Sequence, residues 1–137
     1  MTTIEEATTI LLNTNAKEAE RAEAAHFLGY SGSEAAATVL VAALDDNDYG
    51  VHWAASEGLA RLGDAAMPAL LNALVSPNCP PRVIHGAKHV FHTSTSETVR
   101  EETRDLLKAM HGSANTIATM EAASALMEKW PRRTTGK

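Results

Sequence analysis

The sequence predicts an all-α fold, an α-solenoid of stacked antiparallel helix pairs with about eight helices. Three observations point there. Hydrophobic residues make up 45% of the chain but aromatics only 4%, so the core must be Ala, Leu, Val and Met, a set suited to closely packed helices rather than a β-sandwich. The chain also repeats. Slid by 31 residues, "RAEAAHFLGYSG" (21–32) falls on "HWAASEGLARLG" (52–63), with Ala24 on Ala55, Leu28 on Leu59 and Gly32 on Gly63. Start and stop signals, finally, cut the chain into helix-length pieces.

In order, helices are expected near 3–13, 17–30, 33–45, 49–62, 65–75, 81–92, 96–111 and 114–129. Capping-box spacings start several of them: Thr2/Glu5 or Thr3/Glu6, Ser31/Glu34, and Ser94/Glu97. In the helix near 49–62, Val51, Ala55, Gly58, Leu59 and Leu62 share one face, with Trp53, Ser56, Glu57 and Ala60 away from it. Gly63 stops that helix, Asp64 caps the next, and Pro68 fits its first turn. Met67, Leu70, Leu71 and Leu74 then recur at helical spacing until "SPNCPP" breaks the chain. A blurred third copy, "RVIHGAKHVFHTSTSE" (82–97), follows. In the last helix Ile117, Met120, Ala123 and Met127 form the apolar face, and Pro131 stops it. Residues 1–130 are therefore one domain, and 131–137, with Arg132, Arg133 and Lys137, a flexible basic tail. Small residues at the repeat positions act as spacing devices that let helices approach.

The stretch "VHWAASEGLARLGDAAMPALLNAL" resembles the short HEAT-like repeat named after phycobilisome lyases. The pattern is matched by Val51, Ala55, Leu59, Leu62, Gly63, Asp64, Pro68, Leu70 and Leu74. The resemblance covers about residues 17–93 and implies helical repeats that serve as interaction surfaces. His52 stands where the family has Arg, whereas Arg21 keeps that position one unit earlier. The family's contact between units through that Arg is thus open at His52.

Composition narrows the function classes. A net charge of −5, from 12 basic and 17 acidic residues, argues against a nucleic-acid groove. No apolar run is long enough to span a membrane, and "MTTIEEATT" lacks the features of a signal peptide. With its lone Cys79 the chain fits a reducing, cytoplasmic setting.

Candidate sites are few. Tyr49 and Trp53 open a helix after the acidic loop "DDND" (45–48), and Trp53, Tyr49, Asp46 and Asp48 are the candidate partner contacts. The competing reading packs Trp53 across the junction with a neighbouring unit. Asp45, Asp46 and Asp48 space loosely like a calcium loop, but Tyr49 and Ser56 stand where ligands are needed, so turn and capping chemistry explains them. His85, His89 and His92 fall at i, i+4 and i+7 on one arc of a helix. Such a stripe can hold Zn²⁺, Ni²⁺ or Cu²⁺, yet an exposed polar stripe is the favoured reading. On the helical wheel His89 faces solvent, whereas the repeat register places it at a core position. Cys79 shows no neighbouring base and reads as an inert loop thiol.

The function expected is a non-enzymatic interaction or adaptor module. It would offer a curved surface, largely of second helices, to a protein or peptide, and a basic partner segment would be favoured electrostatically. It is taken as a monomer without a cofactor, nucleic-acid partner or membrane contact. The alternative the resemblance implies is a subunit of a phycobilin-lyase-like enzyme or another cofactor-binding protein on the same scaffold. None of the six histidines is followed by Glu, which removes the His-Glu iron sites of deoxyhypusine hydroxylase. DNA glycosylases built from such repeats need a basic groove that this chain lacks.

Overall fold

The computed structural model describes residues 3–111 and 116–135. The helices are α1 (Ile4–Leu12), α2 (Glu18–Tyr30), α3 (Glu34–Ala43), α4 (Tyr49–Leu62), α5 (Met67–Leu74), α6 (Pro81–Thr93), α7 (Glu97–Glu102), α8 (Arg104–His111) and α9 (Thr116–Thr135), with a 3-10 turn at Gly63–Ala66. They form two layers. In one, α2, α4 and α6 lie side by side, while α1, α3 and α5 back them in the other. The long final helix α9 packs on α5 and α8 and closes the stack.

Helix α4 is the centre of the molecule, with α2 on one flank, α6 on the other and α3 behind. Neighbours on three sides bury Val51, His52, Ala54, Ala55, Ser56, Gly58, Leu59, Ala60 and Leu62. This corrects the expectation that Ser56 and Ala60 lie away from the core, which assumed a helix buried along a single face. The hydroxyl of Ser56 is satisfied by donating to the His52 carbonyl at 3.1 Å. One exposed or half-exposed stripe survives on α4, at i+4 spacing: Tyr49, Trp53, Glu57 and Arg61.

The small residues have a direct geometric role. A Cβ built on Gly29 would lie 2.5 Å from the Gly58 Cα and 2.9 Å from its carbonyl oxygen. Helices α2 and α4 therefore meet backbone to backbone, a contact that larger side chains would hold apart. Gly63, at φ +59°, then ends α4 in a conformation few other residues tolerate. The exposed carbonyls of that helix end are capped from the next unit. The Thr95 N–H donates to the Ala60 oxygen at 3.0 Å, and its hydroxyl reaches the Ala60 and Arg61 oxygens at 3.2 and 3.3 Å.

Several local expectations shift for physical reasons. Thr3 and Glu6 form the expected capping box; the alternative, Thr2/Glu5, begins outside the described residues. The caps expected at Ser31 and Ser94 are instead made two residues later, by Ser33 and Ser96. In both places the earlier serine oxygen accepts the N–H of the later one, at 3.2 and 3.1 Å, an ST-turn that outcompetes a direct cap. Asp64 does not cap α5; it lies in the 3-10 turn and accepts the Ser96 hydroxyl at 2.5 Å.

The helix expected over 96–111 is broken at Thr103 (φ −93°, ψ 7°), whose buried hydroxyl donates back to the Val99 carbonyl at 2.7 Å. Helix α9 continues through Pro131 to Thr135, so the stop expected at that proline is corrected. Proline removes one intrahelical bond, which bends or weakens a helix without always ending it. The side chains of the expected basic tail, Arg132, Arg133 and Lys137, lie outside the described residues. The buried face of α9 is also rotated from the expected one, since Thr119, Ala123, Leu126 and Trp130 are buried while Ile117 is exposed. The area of Trp130 decides that orientation.

Candidate functional site

The exposed stripe of α4 faces the histidines of α6 across the seam between their units. Tyr49 is 69% exposed and Trp53 40%. The rings form a row. Tyr49 stacks on His52 with centroids 5.8 Å apart, and His52 on His85 at 5.8 Å. One turn on, Trp53 tilts against His89 at 4.4 Å. At the far end, the Arg61 guanidinium sits 4.6 Å from the centroid of the Tyr30 ring. Trp53 thus reconciles the two readings of it: it packs across the junction onto the next unit and still presents a face to solvent.

Beneath the row lies a polar anchor. Arg21, side chain 5% exposed, grips Asp46, side chain 14% exposed, through both terminal nitrogens. Its Nε donates to the Leu11 carbonyl at 2.9 Å. One Asp46 oxygen also accepts the Asp48 N–H at 2.8 Å. Burial pushes the Asp46 carboxyl up, but the hydrogen bonds from Arg21 and the Asp48 N–H, with the nearby positive charge, outweigh it and hold it below 3.8. Asp46, expected as a partner contact, is thus committed to the fold of the loop.

His52 does for α4 what Arg21 does for α2. Its Nδ1 bonds the Leu44 carbonyl at 2.7 Å, so both side chains tie a repeat helix to the end of the helix before it. The contact between units persists at His52 with imidazole in place of guanidinium. That role was missed from sequence, although the register of Arg21 over His52 carried the signal.

Asp48 lies at the α4 N-terminus without capping it through its side chain. Its hydrogen bond and charge raise the carboxyl of the neighbouring Glu18, partly offset by the Gly50 N–H. Asp45 makes a loose, exposed ion pair with Arg82 at 3.9 Å. Most acidic groups of the loop are therefore engaged within the chain.

The three α6 histidines do not converge. His85 faces His52, His89 faces Trp53, and His92 meets His111 edge-on at 5.8 Å. Among the described residues, His85, His89 and His92 included, no group of three or more His, Cys, Asp or Glu is placed to hold a metal ion. His89 is half-buried, between the solvent position of the wheel and the core position of the repeat register. Burial holds its imidazole below 6.5, against the pull of Glu57 and together with the charges of His85, His92 and His52. The Cys79 thiol, half-buried, is pushed above 9.0 by burial and by the Asp45 charge, which keeps it protonated and unreactive at neutral pH.

Between the starts of α4 and α6 the row opens into a cleft of about 390 Å³, lined by Asp46, Asn47, Tyr49, His52, Pro81, Arg82 and His85. A smaller hollow of about 230 Å³ follows further along, between Glu57, Arg61, His89 and Thr95. The opposite layer is less open than expected for a surface of second helices, because α9 packs across α5 and leaves a hollow of about 340 Å³ beside Thr38, Pro68 and Trp130.

A family model described as HEAT repeats matches residues 4–90, more than half of the chain. No curated protein and no solved structure matches it. No helix among the described residues is long and apolar enough to cross a membrane.

Proposed function

The chain belongs to the HEAT-repeat family, whose repeats typically mediate protein–protein contacts, and we propose that it is a non-enzymatic module that holds a protein or peptide segment along the seam between α4 and α6. The observation that carries this reading is the row of exposed rings on a rigid repeat scaffold, Tyr49 and Trp53 above all. Trp53, packed against His89, and Tyr49, stacked on His52, are preorganised by those ring contacts, so less side-chain entropy is lost when a partner covers them. Glu57, Asp48 and Glu18 flank the row, and with the net charge of −5 they favour a segment carrying basic residues. The module acts as a cytoplasmic monomer and needs no bound cofactor in this reading.

Selection of displayed random peptides on the immobilised protein, followed by calorimetry, tests the reading. Selected peptides are expected to bind wild type at least about 30-fold more tightly than a Tyr49→Ala, Trp53→Ala variant. Both side chains are outside the core, so thermal unfolding of the variant stays close to that of wild type. Equal affinity for the two proteins moves partner binding off this seam, and failure to select any peptide removes the module reading.

A further inference from the structure

We propose that the cleft between the starts of α4 and α6 is a binding site for a neutral aromatic ring bearing an O–H or N–H donor, a phenol or an indole. The inference rests on the seam reading only where that ring is a side chain of the partner.

The walls of the cleft are rings: Tyr49, His52, His85 and the pyrrolidine of Pro81. Flat surfaces of this kind receive a flat guest by offset or tilted stacking. The volume of about 390 Å³ stands at the small end of the roughly 300–1,000 Å³ typical of small-ligand sites. A ring fits that space better than an extended chain.

His52 gives the cleft its polar selectivity. The residue is only 3% exposed, and its Nδ1 is held by the Leu44 carbonyl at 2.7 Å. A carbonyl can only accept, so Nδ1 carries the proton and Nε2 of the neutral ring is an acceptor. That nitrogen has no hydrogen-bond partner among the described residues and is not sealed from solvent, and the residue that carries it lines the cleft. A guest O–H or N–H can take the place of solvent at this acceptor, and beside the mainly apolar lining of the cleft such a bond is stronger than in open water.

The charges at the rim compensate one another, Arg21 with Asp46 and Arg82 with Asp45. Ring surface dominates what remains, with the His52 acceptor and the polar groups of Asn47, Tyr49 and His85 around it, a lining that suits a neutral guest with a donor better than an ion.

An NMR titration of backbone amides with p-cresol, with toluene as the same ring lacking the donor, tests this. Saturable shifts confined to Tyr49, His52, Arg82 and His85 are expected for p-cresol, with toluene weaker by about tenfold, the value of one hydrogen bond. His85→Ala, at an exposed position, should weaken both guests by removing a wall. His52→Phe should make the two guests equal by removing the acceptor. Should His52→Phe fail to fold, the comparison of guests on wild type and His85→Ala still decides. No saturable binding, shifts elsewhere on the protein, or equal affinity for the two guests overturns the proposal.

A selected peptide that carries Tyr or Trp and displaces p-cresol assigns the ring to a partner chain; p-cresol bound without such competition assigns it to a free small molecule. Either outcome keeps the site. Peptides bound along the seam with no p-cresol binding would sink this inference and leave the module reading intact.

Discussion

Replacing Gly29 with valine is expected to destabilise the protein by about 3 kcal/mol or more, a loss of roughly 10 °C in the thermal midpoint. Even the first added carbon would stand 2.5 Å from the Gly58 Cα. Backbone cannot swing aside as a side-chain end can, so α2 and α4 must separate. Their separation would loosen the core on both sides, because α4 also carries the contacts to α3 and α6. Gly86 provides the contrast. A Cβ there would meet the Leu44 Cδ2 at 2.6 Å, but a leucine methyl can rotate away. The gain in helix propensity, up to about 1 kcal/mol, offsets part of the strain, so Gly86→Ala should stay within about 1.5 kcal/mol of wild type. Circular dichroism melts of the two variants check the ordering. A Gly29→Val protein as stable as Gly86→Ala would mean that the helices do not meet through Gly29 and Gly58.

The same pair of glycines shows what was legible in the sequence. Repeat period, helix positions through α6, and the use of small residues as spacers followed from residue size and periodicity. Which helix has neighbours on several sides does not follow from one helix's pattern, and Ser56 and Ala60 were misplaced for that reason. Short-range hydroxyl chemistry escaped as well: Ser33 and Ser96 do the capping, and Thr103 breaks a helix, because serine and threonine choose between nearby backbone partners within one or two residues. Of the site, Tyr49 and Trp53 were legible as large aromatics at a helix start. Their companions were not. His52 looked like a departure from a pattern, and only the fold brings it between Tyr49 and His85. The α6 histidines shared a helix face, but their partners lie on α4 and α8, and a helical wheel contains no neighbouring helix.

Arg21→Ala is expected to cost about 3 kcal/mol. The substitution leaves the Asp46 carboxylate nearly buried with the Asp48 N–H as its remaining bond, and it removes the donor to the Leu11 carbonyl. Asp46→Asn keeps the shape of the loop but weakens the charge-assisted bonds, and should cost about 2 kcal/mol at neutral pH.

The acid limb distinguishes this from a packing effect. The folded carboxyl titrates below its unfolded value of 3.8, so its contribution is full above that pH and is lost as the pH falls through the lower folded value. Urea midpoints of wild type and Asp46→Asn should therefore differ at neutral pH and converge as the pH falls below 3.8 through the lower folded value. A difference that persists unchanged into acid would place the effect of Asp46→Asn in packing rather than in its charge. The loop that Arg21 and Asp46 fix runs directly into Tyr49, the first ring of the row. Arg21→Ala should accordingly weaken peptide binding at the seam even at temperatures where the variant remains folded, because Tyr49 would no longer be held in place before the partner arrives.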